Sequence, residues 1–433
     1  MTKTLKTKLK IWSAAGAAVV ATAGMSQAGM LQGHAVQHQS QVILVDTAGG
    51  EGGEGGGEGG GVTGTTTYAL SSTNENAFKY EATAQIDAYV NLAFTSYEKA
   101  ADDAKLLQTA VDTLLASPSE QTLKAAKQAW LDARPGYLKT EAFRFYDGPI
   151  EAVEGEINAW PMNEAFIDYV DGKPDAGVIN DPKIKLNVDG LEALNQKQDD
   201  ADVTIGWHAV EFLLWGQDLS ATGPGARPFT DYVIGQGNND RRRTYLKLVT
   251  DQLAKELHDL EEKWEFEEPN NYATAFKALE PREAIGRMVN GMAILAGYEF
   301  MSERLAVALD SGDQEDEHSC FSDNTKNDFV YDLIGIKQVW TGDNDDKKRA
   351  GLDELVRSQD AKLADKIDGL LADAEVKIAA LGNVWDQVLA APKDSPERKN
   401  AEAVVVALQA LGSGFTEVGN KLGVLVLIPA GSG

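Results

Sequence analysis

Of 433 residues, one is cysteine, Cys320, and five are histidine. A single thiol excludes an intramolecular disulfide and any zinc or iron–sulfur site built on several cysteines. Basic residues are also few: 40 Lys and Arg stand against 67 Asp and Glu, a formal net charge of −27. That charge repels phosphate, so nucleic acid is excluded as a favoured partner, and an anionic membrane surface is disfavoured for the same reason. Cations and basic partners are favoured. Runs of alternating residues joined by hairpin turns are missing too, which leaves no case for a sheet.

The N-terminus combines a basic stretch (Lys3, Lys6, Lys8, Lys10), an apolar run from Ile11 to Met25 and a small-x-small site at Ser26-Gln27-Ala28, with Ala21-Thr22-Ala23 as a second choice. Residues 1–28 read as a secretory signal peptide, the alternative being an uncleaved anchor. Cleavage leaves a chain that is not an integral membrane protein. Residues 29–77 read as a flexible linker, because the Gly/Glu tract from Glu51 to Gly61 has no apolar surface to bury.

Beyond the linker the apolar spacing is helical. Ile86, Val90, Phe94, Tyr97 and Ala101 share one face, and Leu246, Val249, Leu253, Leu257, Leu260 and Trp264 recur at intervals of three and four. Ser117-Pro118-Ser119-Glu120 predicts a helix capped by Ser117 and stopping at Pro135-Gly136. Residues 171–200 and 216–239 read as loops. Asp240-Arg241-Arg242-Arg243 reads as a surface cluster paired with the surrounding acid. A helix from about Glu283 to Leu309, a stripe from Leu363 to Val388 and a final helix from about Glu397 to Leu422 complete the chain. The expected fold is all-α, two antiparallel bundles over residues 78–270 and 271–425.

Among the histidines, His208 stands three residues before Glu211 and is flanked by Phe212-Leu213-Leu214-Trp215. On a helix the two share a face, so an imidazole nitrogen and a carboxylate can approach one cation, and that mixed donor set suits a transition metal. A structural His–Glu ion pair fits the spacing equally. The metalloprotease patterns His-Glu-x-x-His and His-x-x-Glu-His both fail, the second because Phe212 stands at the last position. Two further clusters are rich in donors, Thr140-Glu141-Ala142-Phe143-Arg144 and Glu317-His318-Ser319-Cys320-Phe321-Ser322-Asp323-Asn324-Thr325. In the latter Ser322, Asp323 or Asn324 is a helix-cap candidate.

Taken in order, Gly206-Trp207-His208-Ala209-Val210-Glu211, the flanking Phe212 to Asp218, Thr140 to Phe145, Asn158-Ala159-Trp160-Pro161, Asp168 to Asp171, Asp240-Arg241-Arg242 and Glu317 to Thr325 resemble the imelysin-like family, within it the iron-regulated protein A branch. The resemblance spans roughly residues 78–425. It implies two four-helix-bundle halves with a site near their interface, a periplasmic or cell-surface location, and a role in iron binding or uptake with envelope iron-transport components as partners. His208 and Glu211 are then the expected metal ligands, joined by Glu141, His318 and Asp323, with Gly206 and Arg144 in support. Iron is the expected ion, zinc or another divalent transition metal the alternative. The family is also classed with metallopeptidases, a second reading; a helical protein with a purely structural His–Glu pair is a third. The sequence departs from the branch at Lys326, where a histidine is expected, and Met301-Ser302-Glu303-Arg304 matches the Gly-Glu-Arg-like segment loosely.

Overall fold

The long helix α1, Thr83–Ala116, buries Ile86, Tyr89, Val90, Ala93, Tyr97, Ala101 and Leu107 along one face, the stripe expected from the sequence. It packs against α2, Glu120–Leu138, and α4, Asn239–Trp264. The short α3, Gly206–Trp215, lies on α2 and α4 and is buried at every residue. A second set consists of α5, Pro281–Ile294, α6, Thr325–Thr341, α7, Leu352–Gln359, α8, Ala361–Ala379, and α9, Pro396–Leu422. Here α9 packs on α5 and α8, while α6 packs on α8 and reaches across to α2 and to the 3-10 turn Lys139–Phe143. This computed structural model describes residues 79–429 except 267, 345 and 346; the signal peptide and all of the linker expected at 29–77 lie outside the described residues. Among the described residues the only strand-like pairings are the isolated bridges Val170–Lys173 and Asn344–Lys347, so the fold is all-α.

Burial supplies the driving force. The α4 stripe from Leu246 to Trp264 is at most 3 % exposed, and each such side chain contributes roughly 1.5–3 kcal/mol. Trp264 closes an aromatic cluster with Tyr89, Phe143, Tyr272 and Phe276. The helix α9 is long and apolar enough to cross a membrane, but it places Val404, Leu408, Leu411, Phe415 and Val418 in the protein core.

Several local expectations are corrected. Ser119, not Ser117, caps α2: its Oγ accepts the Thr122 N–H, and Thr122 returns the bond to the Ser119 N–H, so Thr122 takes the place expected of Glu120. Pro135 does not end α2. The helix runs on to Leu138, and Gly136 within it packs against α1, where an added Cβ would lie 2.9 Å from Asp103 Oδ2 and 3.2 Å from the Ala100 Cα. The stripe from Leu363 to Val388 is broken: α8 ends at Ala379, and Trp385 belongs to a separate turn, Trp385–Ala390.

The basic cluster at the start of α4 is structural rather than superficial. Arg242 is buried and grips both oxygens of Asp168, at 2.6 and 3.0 Å, and Arg241 donates to the carbonyls of Val178, Ile179, Asp181 and Ile184. These bonds tie the loop at 171–200 to α4. Past Ile294, α5 continues without a break into a wide π-helical stretch, Leu295–Ala306, and a last α-turn, Val307–Ser311. Arg304 lies in that stretch and points inward.

Candidate functional site

Gly206 opens α3 at φ +89°, a conformation that L side chains avoid, and an added Cβ would lie 2.5 Å from the Ile157 carbonyl oxygen. The glycine therefore lets α3 begin hard against the turn at 154–157. One turn later His208 and Glu211 are both 0 % exposed. His208 Nδ1 lies 2.9 Å from Glu211 Oε2, and Glu211 Oε1 accepts both the backbone N–H and the Oγ–H of Ser322, at 2.9 and 2.7 Å.

The other face of the His208 ring meets α2. Arg134 Nη2 is 3.4 Å from His208 Nε2 and 3.4 Å from Asp328 Oδ2, while Arg134 Nη1 donates to Asn158 Oδ1 at 2.6 Å. A guanidinium has only donors, so Nε2 of His208 is the acceptor and the ring proton sits on Nδ1, toward Glu211. Arg134 is itself fully buried, with its charge over the rings of Trp130, Tyr137 and Trp207.

His318 arrives from the loop before α6. Its ring centroid is 5.0 Å from that of His208, and Trp160 covers both rings at 4.9 and 6.4 Å. His318 Nδ1 lies 2.7 Å from Asp328 Oδ2. That carboxylate also accepts from Ser319 Oγ at 2.6 Å and Asn324 Nδ2 at 3.1 Å. Two histidine–carboxylate pairs, His208–Glu211 and His318–Asp328, thus face each other in the interior. Burial pushes the His208 pKa well below its usual range, helped by Arg134 and His318. Burial does the same to His318, helped by Arg304 and Arg134. Both rings are neutral at pH 7, the state that ligates metals. Burial pushes the Glu211 carboxyl up to about 8, against the pull of the Ser322 donors.

The remaining predicted ligands are engaged elsewhere. Glu141 sits on the 3-10 turn and accepts from Arg144 Nη1 at 2.7 Å and from Arg304 Nη2. Burial would raise its pKa, but the two guanidinium groups outweigh burial and hold the carboxyl well below the usual range. Arg144 also pairs with Glu154, at 3.1 Å, and Arg304 reaches Asp332, at 2.9 Å.

Asp323 turns away at φ +57° and joins Asp218 and Asp386, the three offering carboxylate oxygens within 4.8 Å of one another. Among the described residues the other such acidic grouping is Glu156, Glu192 and Glu256. Asn324 occupies the N-cap of α6, but its side chain goes to Asp328 instead of the helix backbone. Lys326, in the place expected of a histidine, donates to the Leu381 carbonyl at 2.6 Å and so closes off the end of α8. His258 is half-exposed on α4 beside Glu261, and Cys320 is buried.

Arg134, Asp332 and Asp386 were not singled out from the sequence, and Arg304 and Asp218 entered only as members of family-motif segments, without a role. None stands in a recognisable spacing with its partner; Arg134 and Asp328, for example, are 194 positions apart.

Comparison with known proteins places the fold. The Imelysin family model matches residues 93–414. The iron-regulated protein A of Synechococcus elongatus is 24 % identical over 322 residues, covering 72 % of this chain and 79 % of that protein. Two crystal structures share the fold. A protein described as an iron-regulated protein A precursor, from Parabacteroides distasonis, has a TM-score of 0.62 at 19 % identity, covering 78 % of this chain and 94 % of its own. An imelysin-like protein from Psychrobacter arcticum has a TM-score of 0.59 at 15 % identity, covering 81 % and 99 %.

Proposed function

The chain belongs to the imelysin family, and from that premise we propose that it is an exported metal-binding protein of iron handling, whose interior site takes a transition-metal ion on His208 and His318. The observation that carries this reading is the facing pair of neutral imidazoles, each with its Nδ1 against a carboxylate. A carboxylate on one ring nitrogen fixes the tautomer and raises the basicity of the other, the arrangement that metal-binding histidines use. Nε2 of His208 is then the ligating atom of that ring, with Glu211 its orienting partner; Asp328 lies 2.7 Å from Nδ1 of His318 as a charge partner without a hydrogen bond to fix its tautomer. Nitrogen donors beside carboxylate suit ferrous iron, with zinc the nearest competitor.

The site offers such an ion two ring nitrogens, and the carboxylates would have to turn from their rings to add oxygen donors. Arg134 donates toward His208 Nε2, so binding requires the guanidinium to give up that contact to the ion. Glu141, clamped by two arginines, takes no direct part, and the periplasmic or cell-surface partner that delivers or receives iron meets the outside of this buried site. Complete burial of His208 and Glu211 also favours binding over peptide hydrolysis, since a polypeptide has no route to them.

Anaerobic titration of chelator-treated full-length protein with ferrous iron tests the reading. His208→Ala and His318→Ala are each expected to weaken binding at least about tenfold. Equal affinity in wild type and both variants would sink it.

A further inference from the structure

Four buried or half-buried carboxylates gather where the loop after α3, the loop before α6 and the turn at 385–390 meet. Asp218, Asp323 and Asp386 approach within 4.8 Å, and Glu317 lies against Asp386 and Asp323. Asp218, Asp386 and Glu317 are at most 6 % exposed. Such a group repels itself unless a cation stands among it or its carboxyls keep protons. Among the described residues no Lys, Arg or His pairs with any of the four, in contrast to Glu141 and Asp168, each held by two arginines.

Neutral donors do little to compensate. Asp218 Oδ1 accepts the Ser220 N–H at 2.8 Å, and Asp386 Oδ2 accepts from Gln314 Nε2 at 3.1 Å. Asp218 Oδ2, Asp386 Oδ1, both oxygens of Asp323 and both of Glu317 are buried and meet no ammonium or guanidinium donor; their near neighbours are one another, Asp218 with Asp323 and Glu317 with Asp386, and the Thr325 side chain beside Glu317. Buried polar atoms are nearly always satisfied, so a fully buried glutamate packed against three aspartates with no cation among them points to a ligand. The other acidic grouping differs: Gln252 bridges Glu192 and Glu256 at 2.8 and 2.7 Å.

We propose that Asp218, Asp323, Asp386 and Glu317 form a second, all-oxygen site for a hard divalent cation, calcium in the first instance, separate from the histidine site. Carboxylate oxygens without nitrogen or sulfur select hard ions, and calcium accepts six to eight of them in flexible geometry. Asp218 also lines a surface cleft of about 610 Å³ with Gly216, Gln217, Ser220 and Arg227. Bound there, the ion pins the loop at 317–325 to the end of α3. Asp323 directly follows Ser322, whose two donors hold Glu211, so the ion steadies the frame of the histidine site without touching it.

The test uses chelator-stripped full-length protein, unfolded by heat with and without millimolar calcium at constant ionic strength and pH 7.5. Wild type is expected to gain several degrees in Tm. Asp386→Asn and the more exposed Asp323→Asn are expected to lose that gain, and to melt higher than wild type without calcium because a like charge is gone. His208→Ala is expected to keep the full calcium response while losing iron affinity, so this proposal and the iron reading fail separately. An unchanged wild-type Tm, or an undiminished calcium shift in both asparagine variants, overturns the site.

Discussion

Ser322 gives both of its donors, the backbone N–H and the Oγ–H, to a single oxygen of Glu211, from 111 positions away in sequence. The bond pair joins the helix carrying the Gly-x-His-x-x-Glu motif to the loop carrying His318. Ser322→Ala removes the hydroxyl and spares the amide. A hydrogen bond to a buried neutral group is worth about 0.5–1.5 kcal/mol, so the variant is expected to lose that much stability in urea unfolding near pH 7, with its m-value unchanged.

Arg304 neutralises two carboxylates at once, Glu141 and Asp332. Arg304→Met leaves Asp332 in the interior without its cation, while Glu141 keeps Arg144, and breaking a buried ion pair from one side costs roughly 3–5 kcal/mol. Adding Asp332→Asn to the same chain removes the abandoned carboxyl and is expected to restore part of the loss. Chemical denaturation of the single and double variants checks this; a double variant no more stable than the single would show that Arg304 acts through packing alone.

Burial, with the charges of Glu156 and Glu192 behind it, pushes Glu256 up to about 8 from 4.5. Between those values the folded chain holds a proton that the unfolded chain has released. Stability from this group is therefore full below about pH 4.5 and declines as pH climbs toward 8. Glu256→Gln is expected to flatten the fall in stability between pH 5 and 8 by up to one proton, about 1.4 kcal/mol per pH unit. Denaturation at a series of pH values reads the slope directly.

Lys326 is spent on the carbonyl of Leu381 and the side chain of Asn383. Lys326→His is expected to leave ferrous iron affinity unchanged and to cost about 0.5–1 kcal/mol through the lost helix-end contacts. A tightened iron affinity would show that position 326 reaches the histidine site after all.

The helices were legible because each has one face that must be buried, and a period of 3.6 writes that face into the sequence: the α4 stripe runs from Leu246 to Trp264 as spaced. His208 and Glu211 were legible as a pair for the same reason, being three apart on one helix. Their surroundings were not. Arg134 and His318 reach His208, and Ser322 reaches Glu211, through tertiary contacts that no local spacing records, with Asn158 and Asp328 held one step further out. Arg241 and Arg242 misled for a different reason. In so acidic a chain a basic cluster reads as solvated, yet Asp168 and a ring of loop carbonyls draw both inward. Asp323 was read as a donor for the histidine site, and its positive φ aims it at Asp218 and Asp386 instead.

The wide turns of Leu295–Ala306 constrain the chain in length more than in composition. A π-helix carries extra residues per turn relative to an α-helix, in which each residue advances about 100°. Deleting one residue there lets the wide turns tighten toward ordinary α-geometry, and that tightening offsets much of the rotation a deletion would cause in a regular helix. An inserted residue before Arg304 has no such slack and turns Arg304 away from Glu141 and Asp332, with no substitution at any of the three. Point changes along this stretch that keep its volume should be absorbed, whereas a codon gained before Arg304 breaks its ion pairs.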